Sequence, residues 1–153
     1  MRKLALVLLF VSTTALAADQ TARVNAMLDA WHGAASKADE TAYFAAMTPE
    51  FIFLGTDATE RWNVQAFREF AHPYFAKGKG WTFTPRERHV IFSPAGDVAW
   101  FDEKLDSATY GDCRGSGVVR KVNGAWKIAH YNLTIPIPND LAKDVVAKIR
   151  AAK

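Results

Sequence analysis

The sequence predicts an α+β domain. N-terminal helices pack in the concave face of a strongly curved antiparallel β-sheet, and a short helix closes the C-terminus. Three observations predict this. Apolar residues recur with helical spacing as far as Tyr74, the period changes to extended alternation from Trp81, and Asn123-Gly124 is the strongest hairpin signal in the chain. A sheet that must bury its own aromatic residues and those of the helices has to curl, and the curl leaves a cone-shaped interior in which a ligand can sit.

The elements follow in order. Thr21 to Lys37 is an amphipathic helix, with Val24, Met27, Leu28 and Trp31 on one stripe. Asp39 is the expected N-cap of a shorter helix that turns Tyr43, Phe44 and Met47 inward and stops at Pro49. Phe51 to Leu54 is a short buried strand ended by Gly55, and Gly55 to Glu60 is a loop. Asn63 caps a third helix with Val64, Phe67, Phe70, Ala71 and Tyr74 on one side, broken by Gly78-Lys79-Gly80. Trp81 to Phe92 is a long strand in which Pro85 requires an edge position or a bulge. A turn at Pro94 to Asp97 leads to strands at Val98 to Leu105, Asp112 to Val122 and Trp126 to Ile135. Pro136 and Pro138 end the sheet, and Leu141 to Ala152 is a helix carrying Val145, Val146 and Ile149.

The first residues set the expected compartment. Met1-Arg2-Lys3, the apolar run Leu4 to Val11 and the small residues of Ala15-Leu16-Ala17 have the order of a cleavable signal peptide. The chain therefore divides into a leader over residues 1–17 and a single domain over 18–153, placed in the periplasm or outside the cell without a lipid anchor. Losing Arg2 and Lys3 lowers the formal charge from +3 to +1, which supports neither nucleic-acid binding nor attachment to an anionic membrane. Cys113 is the only cysteine, so no intrachain disulfide forms and the core carries stability alone. About 135 residues, with half the chain apolar, suffice for one core.

The chain resembles the SnoaL-like branch of the nuclear transport factor 2-like superfamily over about Thr21 to Ile135. The resemblance is carried by Leu28-Asp29-Ala30-Trp31 through Phe44, by Phe51-Ile52-Phe53-Leu54-Gly55, by Val64 to Phe70, and by the hairpin from Val118 to Ile128. It implies the cone fold and leaves function open, because the fold hosts isomerases, cyclases, dehydratases and non-catalytic domains. Members similar to ketosteroid isomerase use a carboxylate base with a tyrosine and a protonated aspartic acid. Those positions fall on Trp31, near Gly55, and near Ser116 or Gly117, and none matches. Asp57 would substitute for the base only if its loop were wound differently, so the steroid-isomerase chemistry is not carried over.

The candidate site residues come from strand alternation and loop position. Asp102 and Glu103 are adjacent on a strand, so one points inward and one to solvent, and an inward carboxylate needs a partner. Arg114 on the neighbouring strand is the candidate partner, while Arg86 and Arg88 read as a solvated strand face. His130 and Asn132 share a face with Trp126 and Ile128 by alternation. The resemblance implies that they line the pocket, with His130 as an acid-base group. Tyr131 falls on the other face. Asp57 and Trp62 belong to a polar loop at the cone mouth suited to specificity, and Trp31 and Trp100 complete the candidate ligand-binding set. His32, His72 and His89 lie on different elements at no ligand spacing, so no metal is expected, and no cofactor either.

Three readings follow. The first is an exported binding or accessory protein that holds a small organic molecule as a homodimer. The second is a small isomerase, lyase or hydrolase using Asp102 or Glu103 with His130. The third is an assembly module that uses the open sheet face. A carboxylate close to the histidine in a closed cavity favours the second.

Overall fold

The computed structural model describes residues 8–152, with side chains from Ala18 onward. Residues 1–7 of the expected leader lie outside the described residues. The elements are α1 (Leu8–Ser36), α2 (Glu40–Ala45), β1 (Met47–Leu54), β2 (Arg61–Asn63), α3 (Val64–Phe75), β3 (Thr84–Phe92), β4 (Val98–Ser107), β5 (Gly111–Val122), β6 (Ala125–Thr134) and α4 (Ala142–Ala151). The first helix thus begins at Leu8 rather than Thr21. Among the described residues no helix is long and apolar enough to cross a membrane.

Local chemistry sets most boundaries. The Asp39 carboxylate accepts the Ala42 N–H and starts α2, and the Asn63 side chain accepts the Ala66 N–H and starts α3. At the β5–β6 hairpin Asn123 and Gly124 both take positive φ, +51° and +82°, as a two-residue turn of the favoured hand requires. Met47 belongs to β1 and not to α2, and β1 runs through Pro49. The three-residue β2 is too short to have been seen as an alternating pattern.

The six strands form one sheet in the order β2-β1-β6-β5-β4-β3. Strands β3 to β6 are the expected antiparallel meander, but β1 pairs parallel with β6, so the sheet is mixed. The chain between β1 and the meander passes through α3, the long crossover that a parallel neighbour needs. Pro85 lies on the edge strand, and the register shifts between Pro85 and Glu87, leaving Arg86 as the extra residue. A second shift falls in β6: Val119 pairs with Ile128 and Val118 with His130, so Ala129 is unpaired.

The core lies between the sheet and helices α1 to α3. Val24, Leu28 and Trp31 of α1, Tyr43 and Phe44 of α2, and Phe67, Ala71 and Phe75 of α3 are buried against Phe51, Phe53, Phe101, Ile128 and Tyr131. Each buried large apolar side chain contributes about 1.5–3 kcal/mol. Phe70 and Tyr74, expected inward, are 41% and 49% exposed, because α3 turns Phe67, Ala71 and Phe75 to the core instead. Helix α4 buries no residue.

Candidate functional site

The bulge at Ala129 decides which side chains enter the cone. Before it, Trp126 and Ile128 point inward; after it, Tyr131 and Leu133 do. His130 and Asn132 are therefore turned to the opposite face, where alternation alone had placed Tyr131. Directly opposed residues share a face, so Ile91, Trp100, Val118, His130 and Ile52 form one row across the outer side of the sheet. His89, Asp102, Ser116, Asn132 and Leu54 form the next row, and Glu87, Lys104, Arg114 and Thr134 the one after. The structure thus brings Trp100, Asp102, Arg114, His130 and Asn132 together, but outside the cone.

Glu103 is the inward acid, with a fully buried side chain. Its partner is not Arg114, which is exposed and opposite Lys104. Arg88 instead points inward opposite Glu103, on the same face as Val90 and Phe92, and the bulge separates it from exposed Arg86. Arg88 Nε donates to Glu103 Oε2 at 2.8 Å, and Nη2 stands 2.8 Å from the same oxygen as an ion pair without hydrogen-bond geometry. Arg88 also donates to the Asn25 carbonyl at 3.2 Å and pairs with Asp29 at 2.9 Å, so it ties α1 to the sheet. The other oxygen, Oε1, accepts the Tyr131 hydroxyl at 2.8 Å and lies 2.8 Å from His32 Nε2. A Cβ at position 115, opposite Glu103 and beside Tyr131, would collide with the Tyr131 hydroxyl and press on the Glu103 carboxylate. Glycine there keeps the cluster together.

Burial pushes the Glu103 carboxyl upward, but the hydrogen bond and charge of His32, the charge of Arg88 and the Tyr131 hydroxyl outweigh it and hold the carboxyl below its ordinary range. Burial and the neighbouring Glu103 charge push the Tyr131 phenol well up, so its hydroxyl keeps its proton and donates.

Above this cluster lies a cavity of about 170 Å³. Trp31, Tyr43, Phe53, Trp62, Phe67 and Trp81 build most of its wall, and His32 and Tyr131 connect it to Glu103. The rings support one another: Phe53 stacks on Phe67 at 4.3 Å, Trp31 on Tyr43 at 5.1 Å, and Trp62 on Phe67 at 5.6 Å. Trp31 and Trp62 are thus in the wall, whereas Trp100 is 48% exposed on the outer face. Asp57 is outside the wall. Its carboxylate accepts the Thr59 N–H and hydroxyl and so braces the loop that presents Glu60, the acid of that loop that does line the cavity.

His32, Arg88, Tyr131 and Glu60 are the site residues that sequence reasoning passed over. His32 carried a signal, since it follows Val24 and Leu28 at four-residue spacing on the apolar stripe of α1. A polar ring on a buried helix face needs a buried partner.

Comparison with known proteins agrees with this architecture. A model of the SnoaL-like domain matches residues 24–138. The chain superimposes on a protein of unknown function from Mycobacterium tuberculosis with a TM-score of 0.68 and 18% identity, over 84% of this chain and 78% of that one. A candidate aromatic ring hydroxylase from Novosphingobium aromaticivorans gives a TM-score of 0.65 at 18% identity, over 78% and 91%. A nuclear transport factor 2-like protein of unknown function from Pseudomonas putida gives 0.64 at 13%, over 78% and 88%. At these identities the likeness shows the fold alone. No curated protein matches the chain.

Proposed function

The chain belongs to the SnoaL-like domain family, and from that premise we propose that it is a small enzyme that moves a proton on a small substrate with an apolar body, without a cofactor, an isomerase or lyase with His32 as its acid-base group. One observation carries this reading: His32 lines the aromatic cavity while its Nε2 is held 2.8 Å from the buried Glu103 carboxylate. An ionised Glu103 holds the Nε2 proton and leaves Nδ1 as the nitrogen that takes a proton from the substrate and returns it. Among the described residues no hydrogen bond reaches Nδ1. Arg88 keeps Glu103 charged, Tyr131 fills its remaining acceptor site, and both act as positioning residues. A binder that only enclosed an apolar molecule would be served by apolar residues at these positions, at lower desolvation cost.

The test is a panel of small aromatic ketones and β-hydroxy ketones in deuterated water, with NMR reading C–H exchange and water loss. The wild type exchanges or eliminates, and His32→Gln loses this by at least about 100-fold while keeping the ligand-induced thermal shift. Saturable binding with no proton exchange by the wild type on any bound compound would leave the protein a binding domain.

Two further readings belong here. The order of charge, apolar run and small residues at the N-terminus supports export to the periplasm or beyond with cleavage after Ala17. N-terminal sequencing of the protein recovered from a secreting host checks this. The outer row, with Ile91 54% and Trp100 48% exposed, supports a homodimer formed through the open sheet face.

A further inference from the structure

Among the described residues one acid lines the cavity, Glu60, and it lies in no ion pair. The carbonyl of Glu60 accepts the Gly55 N–H at 3.0 Å, which closes the loop, and its side chain folds back over Gly55. A Cβ at Gly55 would occupy the place of that carboxylate, so the glycine and the folded-back acid go together. Oε2 accepts the Asp57 N–H at 3.1 Å. Among the described residues Oε1 accepts no hydrogen bond, and neither oxygen lies in an ion pair. Half-buried Glu60 therefore brings a fixed carboxylate to a chamber otherwise walled by rings.

Among the described residues Glu60 is the one carboxylate in the lining, and His32, the one base there, is already paired with Glu103. Among the described residues no lysine or arginine lines the cavity. The neighbouring Arg61 is exposed, and Arg88 is engaged by Glu103 and Asp29. Trp31, Tyr43, Trp62, Phe67 and Trp81 make much of the rest of the wall, several of them stacked on one another, so they surround a ligand with apolar surface. An anionic ligand would bring its charge against Glu60, and among the described residues no unpaired base in the wall would offset it. A neutral ligand would leave the carboxylate unpaired as it displaced the water around it.

We propose that the cavity selects a small organic cation, an ammonium group carried on a compact apolar or aromatic body, with Glu60 as the counter-charge and the stacked rings as the apolar wall around that body. The proposal deepens the reading of this cavity as a substrate site and rests on it. Glu60 then determines specificity from the loop side, and the apolar body extends toward His32. At about 170 Å³ the chamber accepts a body of substituted-benzene size, since a cavity of about 150 Å³ holds benzene.

The experiment uses three probes of one shape and three charges: phenyltrimethylammonium, tert-butylbenzene and benzenesulfonate. Binding to the purified protein is followed by tryptophan fluorescence, since Trp31, Trp62 and Trp81 line the cavity. The wild type binds the cation roughly tenfold tighter than the neutral isostere and binds the sulfonate weakest, with the cation preference falling as salt rises. Glu60→Gln keeps the acceptor for the Asp57 N–H, retains affinity for tert-butylbenzene and loses most of the preference. Equal or tighter binding of tert-butylbenzene by the wild type, an unchanged preference in Glu60→Gln, or no binding of any probe would each overturn the proposal. His32→Gln separates it from the catalytic reading, because the variant keeps the cation preference whether or not the wild type transfers protons.

Discussion

His32 Nε2 and Glu103 Oε1 stand 2.8 Å apart, with side chains 8% and 0% exposed, and so join the first helix to the fourth strand across 71 positions of sequence. The same carboxylate receives Tyr131 on one oxygen and Arg88 on the other. Among the described residues nothing else in the core combines this burial with this many charged or polar partners.

Replacing Glu103 by glutamine removes the charge that compensates Arg88, whose side chain is 6% exposed. Asp29 remains as a partner, but at 62% exposure it is largely screened by solvent. We expect Glu103→Gln to lose about 3 kcal/mol and to lower Tm by on the order of 10 °C in calorimetry. Loss of proton transfer in this variant should exceed what its folded fraction explains.

The same carboxylate shapes the acid limb of stability. Its folded value lies below the ordinary 4.5, so the folded state favours the ionised form. The stability it contributes is complete above pH 4.5 and is lost as pH falls through the lower folded value. Thermal melts from about pH 5 down to about pH 3 should show a steeper fall for the wild type than for Glu103→Gln. Glu40, Glu50, Asp57 and Glu87 are also held low, but they are common to both proteins, so the difference isolates Glu103.

Gly115 is the tightest position around the cluster. Adding one methyl group there forces Tyr131 away from Glu103. Gly115→Ala should cost about 1–3 kcal/mol in denaturant titration, and Tyr131→Phe in the same background should recover part of it by removing the colliding hydroxyl.

On the outer face, Trp100 lies opposite Ile91 on one side and Val118 on the other. Trp100→Arg should convert a dimer to a monomer in sedimentation velocity and leave the unfolding free energy of the monomer within about 1 kcal/mol of its starting value. A wild type that sediments as a monomer at high concentration would remove the dimer reading.

Much of the fold was legible because short-range chemistry set it. Asp39 and Asn63 cap helices, Asn123-Gly124 closes a hairpin, and Pro85 marks an irregular edge strand, each for reasons visible within four residues. The parallel β1–β6 pairing was not legible, since pairing between distant strands leaves no local mark. The site was half legible. Alternation gave one inward acid from Asp102 and Glu103, and the structure makes it Glu103. Its partners were misassigned for two reasons: the charges of Arg86 to Arg88 read as a solvated face although Arg88 alternates with Val90 and Phe92, and the bulge at Ala129 reverses the facing of all that follows in β6. Arg88 and Tyr131 therefore moved in, and His130 and Asn132 moved out.

The unpaired Ala129 also determines where this strand tolerates a change of length. Removing it leaves Tyr131 and Leu133 facing the cavity, because the residues on either side already alternate correctly around it. Only the local bend is lost. A residue lost or gained inside the Tyr131–Thr134 stretch inverts every side chain beyond it and exchanges the cavity lining for the outer surface. This strand thus tolerates the loss of one residue at the bulge, while on its far side it tolerates substitution only.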